Sequence, residues 1–180
     1  MERIILVGFM GVGKTTIGKK LSKQLKIPFI DSDKYIEQVL NDSVVHIFEE
    51  HGEDFFRKKE YEVLQTQTKH PIIMSTGGGI VTYEDSFHWL KEHDTVIYLK
   101  GSIDLLYHRI QNSRGRKRPL AEKKTINELN DLYMSRQHLY KEVADITIFV
   151  DNKPMFVIVK DIIRELNKFN KKKNRQQHKR

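Results

Sequence analysis

The chain has 180 residues, a formal charge of +8 and no cysteine. That length suits one domain with a substantial core, and the missing cysteine excludes disulfides and thiolate metal sites while fitting a reducing, cytoplasmic setting. No apolar run reaches the roughly 20 residues of a membrane span, and the eight histidines contain no HExxH pair of the kind that binds zinc.

The first apolar run, "IILVGFMGVG", ends in Gly13-Lys14-Thr15-Thr16 with no small-residue cleavage pattern. A buried strand over 3–7 is expected there, not a secretory signal. Gly8 to Thr15 fits G-x-x-x-x-G-K-[ST], and Ile17, Leu21 and Leu25 repeat at helical spacing behind it. Strand, glycine loop and helix in that order make a phosphate loop. Backbone N–H groups of Gly11, Val12, Gly13, Lys14, Thr15 and Thr16 are expected to curl around phosphate oxygens at the positive end of the helix. Lys14 is expected to reach the β- and γ-phosphates, and the Thr15 hydroxyl to ligate Mg²⁺. ATP and Mg²⁺ are the cofactors this implies. A GTPase is disfavoured, since no DxxG occurs and Asn152-Lys153-Pro154-Met155 has Met where a guanine reader needs an acid.

A second strand, 28–31, runs into "FIDSDKY". If the extended backbone persists, Asp31 and Asp33 point to one side. One acid would position Mg²⁺ through water and the other would accept a hydrogen bond from a substrate hydroxyl. Equally, both acids suit the cap of the helix that begins at "YIEQVL". Arg57, in "EDFFRKKEYEVL", has Glu53 and Glu60 at helical spacing and could belong to a surface ion-pair face.

The third strand, 71–75, leads into Gly77-Gly78-Gly79. Bare peptide groups there suit contact with a small polar substrate, with Ser75 helping to hold metal-bound water, and equally suit an awkward strand-to-helix turn. The fourth strand is placed at 95–100. The polar segment 112–124, "NSRGRKRPLAEKK", reads as a loop, and its Arg118 suits either a lid arginine that meets the γ-phosphate or an ordinary solvated loop charge. Arg136 has Leu132, Tyr133, Leu139 and Tyr140 as helical neighbours and no acid among them, which suits a cation awaiting an anion, with Asp131 as a competing partner. A fifth strand is placed at 144–150, and a last helix carries Val157, Ile158, Ile162, Ile163 and Leu166 as its apolar stripe. The basic segment 171–180 reads as a solvated, disordered tail.

Alternating strands and helices predict a three-layer α/β fold with a mainly parallel sheet and helices on both faces. Ligands in such folds sit beyond the carboxyl ends of the strands. One kinase domain is expected over 1–170.

The stretches "GFMGVGKTTIGKKLS", "FIDSDKYIE", "IFEEHGEDFFRKKE", "STGGGIV", "RPL" and "RQHLYKEVA" occur in one order at matching intervals. Together they resemble shikimate kinase over about residues 3–166. The resemblance implies a nucleoside-monophosphate-kinase-like P-loop fold with a five-stranded parallel sheet in the order 2-3-1-4-5. It also implies a substrate-binding subdomain near 32–62 and a mobile lid near 112–124. The implied reaction passes the ATP γ-phosphoryl group to the 3-hydroxyl of shikimate, a step toward aromatic amino acids. By the same resemblance Lys14 and Thr15 bind phosphate and Mg²⁺, Asp31 supports the metal, and Asp33 holds the reacting hydroxyl. Arg57 and Arg136 grip the carboxylate, Gly78 and Gly79 offer backbone donors, Arg118 is the lid arginine, and Arg109 and Lys153 lie near adenine. Guanidinium forks suit a planar carboxylate, so the chemistry agrees with those roles. The partners expected are shikimate and ATP, with no nucleic acid, no membrane, and a monomer.

Two alternatives stand beside this. One is a P-loop kinase of another small hydroxylated substrate. The other is an ATP-dependent nucleic-acid-binding module, suggested by the charge of +8; aromatic residues are not interleaved with the basic tail as such binding favours.

Overall fold

Five short strands form one sheet in which every pairing is parallel, ordered β2-β3-β1-β4-β5. The computed structural model describes residues 3–67, 71–112 and 124–177. The strands are β1 (Ile4–Val7), β2 (Phe29–Asp31), β3 (Ile73–Ser75), β4 (Thr95–Lys100) and β5 (Ile146–Phe149). Ile4 pairs with Ile73 on one side and Thr95 on the other, so β1 is central and fully buried. Continuous apolar runs suit strands covered on both faces. β5 lies at the edge, where Ile146 and Ile148 are buried and Thr147 and Phe149 exposed.

The helices among the described residues are α1 (Lys14–Leu25), α2 (Ser32–Leu40), α3 (Val44–Thr66), α4 (Glu84–His93), α5 (Ile103–Gln111), α6 (Ile126–Val143) and α7 (Met155–Gln177), with a 3₁₀ turn at Ile80–Thr82. Side-chain caps fix where several begin: Asp31 caps α2, Ser43 caps α3, Ser102 caps α5, and Thr125 with Glu128 forms a capping box on α6. No side chain caps α1, which starts behind Gly13 at φ 102. Its first N–H groups therefore point into the phosphate loop. α2 and α3 pack against each other.

Two expectations change. The strand over 28–31 does not continue through Asp33: α2 begins at Ser32, so Asp33 sits in the first turn of a helix. Within the fold itself, α3 is broken at Gly52, whose φ 80 and ψ 173 no helix permits. The segment 171–180 is not a disordered tail throughout, because residues 171–177 continue α7. The apolar stripe ends near Leu166, yet no Gly or Pro interrupts the run to 177. Extending an existing helix with Lys, Arg and Gln is easy, and cations near its C-terminus suit the helix dipole. Residues 178–180 lie outside the described residues, as do 113–123 of the expected lid, including Arg118.

Candidate active site

The topology reverses at β1, with β3 on one side and β4 on the other, and that is where an open α/β sheet leaves a crevice. A cavity of about 540 Å³ lies there. Its walls bring together Gly11, Gly13, Lys14, Thr15 and Thr16 of the loop, Asp31 and Asp33 of the β2–α2 junction, and Gly77, Gly78 and Gly79 behind β3. Arg57, Arg109, Arg136, Glu37 and Thr76 complete the polar set, with Met10, Val44, Phe48, Phe56 and Met155 as apolar wall. Residues spread from 10 to 155 therefore meet in one place.

At the loop, Lys14 Nζ donates to the carbonyls of Gly8 at 2.6 Å and Phe9 at 3.2 Å. Thr15 Oγ1 donates to Asp31 Oδ2 at 2.7 Å, while Asp31 Oδ1 accepts the Lys34 N–H at 3.3 Å. Asp31 thus caps α2 and faces Thr15 at once, so the two roles weighed for it are compatible. Hydroxyl and carboxylate oxygens side by side are a hard donor set that fits Mg²⁺. Arg109 crosses from α5 to hold the loop, donating to Val12 O at 3.0 Å and Gly11 O at 3.5 Å. Val12 itself is wholly buried, with its backbone in the loop.

Opposite the loop stand two buried arginines. Arg57 is 5 % and Arg136 6 % exposed. Arg57 Nε and Nη2 donate to Glu53 Oε1 at 3.1 and 3.0 Å, and Nη1 donates to Glu60 Oε2. Phe48 and Phe56 lie 5.7 and 5.5 Å from its guanidinium carbon. Burial works against the Arg57 charge, but Glu60 first and Glu53 second outweigh it and raise its pKa. Both helical neighbours do pair with Arg57, yet not as a surface face, since Glu60 is fully buried. Arg136 donates to Gly78 O at 3.4 Å, and its Nη2 is 4.0 Å from Glu53 Oε1. Tyr140, one helical turn on, donates to the same Gly78 carbonyl, and burial pushes its own pKa up.

The three glycines have three different neighbours. A side chain at Gly77 would collide with Glu60, whose Oε1 accepts the Gly77 N–H at 3.1 Å. One at Gly78 would press on the loop backbone, 3.3 Å from Met10 N. One at Gly79 would run into the guanidinium of Arg57. The expectation that a substrate alone explains the bare backbone is thus incomplete. The glycines first make room for the chain's own arginine and glutamate, and their remaining face lines the cavity.

Two residues fall elsewhere. Lys153 does not line the cavity; its amine pairs with Asp161 of α7 at 2.8 Å. Ser75 is buried in β3 and is not among the lining residues. Sequence reasoning passed over Phe48, Phe56, Tyr140 and Met155. Only Tyr140 carried a signal, four residues beyond Arg136 on one helix face.

The family model described as shikimate kinase matches residues 10–167. A shikimate kinase of Staphylococcus aureus (strain MSSA476) is 45% identical over 141 residues, covering 78% of this chain and 80% of that protein. The structure of a shikimate kinase from Acinetobacter baumannii in complex with shikimate is 34% identical, covers 93% of this chain and 94% of its own, and has a TM-score of 0.87. A gluconokinase from Sinorhizobium meliloti, at 15% identity and a TM-score of 0.63, shares the fold alone. The chain belongs to the shikimate kinase family of ATP-dependent phosphotransferases.

Proposed function

We propose that this chain's shikimate kinase activity runs through the cavity at the β1 switch point, where ATP and shikimate meet, with each residue in a definite role. The observation that carries the proposal is the convergence of Arg57 and Arg136, from α3 and α6, on the cavity that also holds Lys14 and Asp33. Two buried guanidinium groups suit a carboxylate, which each can meet with charge-assisted hydrogen bonds. The N–H groups of Gly78 and Gly79 face the ring. Asp33 accepts the hydrogen bond of the 3-hydroxyl, aims its oxygen at the γ-phosphorus and takes its proton as the new P–O bond forms and the bond from the γ-phosphorus to the β,γ-bridging oxygen breaks, releasing ADP. A strong base is unnecessary, because phosphoryl transfer is loose and depends mainly on alignment and charge neutralisation.

Lys14 turns from the loop carbonyls to the β- and γ-phosphate oxygens, and N–H groups from Gly11 to Thr16 hold the phosphates. Thr15 and, through water, Asp31 would hold Mg²⁺; the ion neutralises phosphate charge when bound. Arg109 and Met155 flank the space for adenine. Arg118, outside the described residues, is the lid arginine in this scheme. The absence of cysteine supports a cytoplasmic setting, no helix among the described residues is long and apolar enough to cross a membrane, and the protein acts as a monomer without nucleic acid.

Coupled measurement of ADP release tests the assignment. Shikimate should stimulate turnover far above the rate with water, and gluconate and other small hydroxy-acids should not. Equal rates with and without shikimate would remove it.

A further inference from the structure

A carboxylate of the chain itself already lies between the two arginines. Glu53 Oε1 accepts from Arg57 Nε and Nη2 at 3.1 and 3.0 Å, and the same oxygen is 4.0 Å from Arg136 Nη2. A planar acid entering the cavity would seek those same donors. Glu53 and Glu60 both pair with Arg57, but they are held differently. Glu60 is fully buried and its second oxygen is tied to the Gly77 N–H, so it belongs to the frame of the site. The Glu53 side chain is 39% exposed, with an open route into solvent.

The backbone before Glu53 points the same way. Gly52 breaks α3 with φ 80 and ψ 173, a conformation open in practice to glycine alone. A side chain at Gly52 would meet nothing within 4 Å, so packing does not require glycine there. The backbone angle does. Glu53 therefore begins the second half of α3 immediately after a pivot.

Charge balance gives the third argument. Arg57 and Arg136 face Glu53 and Glu60, two cations against two anions. Adding a third carboxylate would leave uncompensated negative charge in a buried site, which is costly. Exchanging it for Glu53 preserves neutrality.

We propose that Glu53 is a resident substitute for the acceptor's carboxylate: it neutralises the Arg57–Arg136 pair in the empty site and is displaced when the acceptor's carboxylate binds. This rests on the reading that the acceptor is shikimate, held by these arginines. Glu53 then acts as a positioning and selectivity residue. Hydroxylated compounds without a carboxylate have nothing to exchange for it, while an acid must outcompete it.

The test is calorimetric titration of the nucleotide-free protein with shikimate and with shikimate methyl ester, on the wild-type chain and on Glu53→Gln, Glu53→Ala and Glu53→Asp. Thermal melts select the variants that fold. Removing a partly exposed competing ion pair is worth up to about 1 kcal/mol, so Glu53→Gln and Glu53→Ala should bind shikimate about three- to fivefold more tightly. Glu53→Asp, with the carboxylate drawn back by one methylene, should fall between. Ester affinity should stay within about twofold in every variant, because the ester brings no charge to exchange. Unchanged or weaker shikimate binding in the folded variants overturns the proposal, as does an equal gain for the ester, which would mark a general loosening of the site. In both of those cases wild-type binding of shikimate still stands, and only displacement fails. If the wild-type chain neither binds nor phosphorylates shikimate, the underlying assignment fails as well.

Discussion

Glu60 reaches two ways from α3: one carboxylate oxygen accepts from the Arg57 guanidinium and the other accepts the backbone N–H of Gly77. A single buried side chain thereby locks a substrate-facing cation to the glycine turn behind β3. Removing one partner of such a pair strands a buried charge, at a typical cost of about 3–5 kcal/mol. Glu60→Ala should therefore lose stability on that order in denaturant unfolding. It should also raise KM for shikimate, since Arg57 loses its anchor. Wild-type stability in that variant would show that the pair contributes nothing net.

Gly79 and Gly78 should differ when replaced by alanine. A Cβ at Gly79 falls on the Arg57 guanidinium, which Glu60 and Glu53 pin in place. The backbone there, at φ −101, accepts alanine without strain. Gly79→Ala should thus displace the arginine, lowering stability through its disturbed pair with Glu60 and raising KM for shikimate by about tenfold or more, the equivalent of one charge-assisted hydrogen bond. At Gly78 the nearest backbone atom is 3.3 Å away, a tight contact that small shifts relieve. Its alanine variant should lose less. Steady-state kinetics on both variants gives the order.

Gly52→Ala should act chiefly on stability, since Gly52 itself does not line the cavity. Its φ of 80 and ψ of 173 place a Cβ in a conformation that costs about 1–3 kcal/mol. With no neighbour within 4 Å, that strain is the whole effect. Urea denaturation should show a fall of this size, and a neutral result would mean that α3 straightens at no cost.

Asp42 and His46, ahead of and inside the first turn of α3, should give a pH-dependent contribution to stability. The hydrogen bond between them raises the His46 pKa above its ordinary 6.5 and lowers that of Asp42 below its ordinary 3.8. The histidine part is fully present below about pH 6.5 and fades as pH rises through the raised value. The aspartate part is present above about pH 3.8 and fades as pH falls through the lowered value. His46→Ala should consequently lower Tm more at about pH 5 than at about pH 8. An equal shift at both would contradict the pair's part in stability.

How far the sequence carries the fold is clear at the strands. Apolar runs such as "IILV" and "TVIYL" lie within a residue or two of β1 and β4, because strands buried on both faces leave an unbroken apolar signature. The phosphate loop was legible for a similar reason: its chemistry depends on neighbours in the chain. Contacts between distant segments were not. Nothing local distinguishes the buried Glu60 from an acid on a solvated helix face, and nothing near Arg136 in sequence points to the Gly78 carbonyl. At "DSD" the strand signal runs straight into a helix cap, so the sequence leaves Asp33 between an extended and a helical backbone, and capping by Asp31 starts α2 at Ser32. The basic end of α7 misled in the opposite sense, as charge suggested disorder where helix propagation prevails.

The central claim is that Arg57 and Arg136 jointly hold the acceptor's carboxylate while Asp33 holds its hydroxyl. A crystal structure of the chain with bound shikimate tests it most directly. The carboxylate oxygens should lie within hydrogen-bond distance of both guanidinium groups, with the 3-hydroxyl on Asp33. A carboxylate seated instead on Lys14 and the phosphate loop, away from either arginine, would contradict the account.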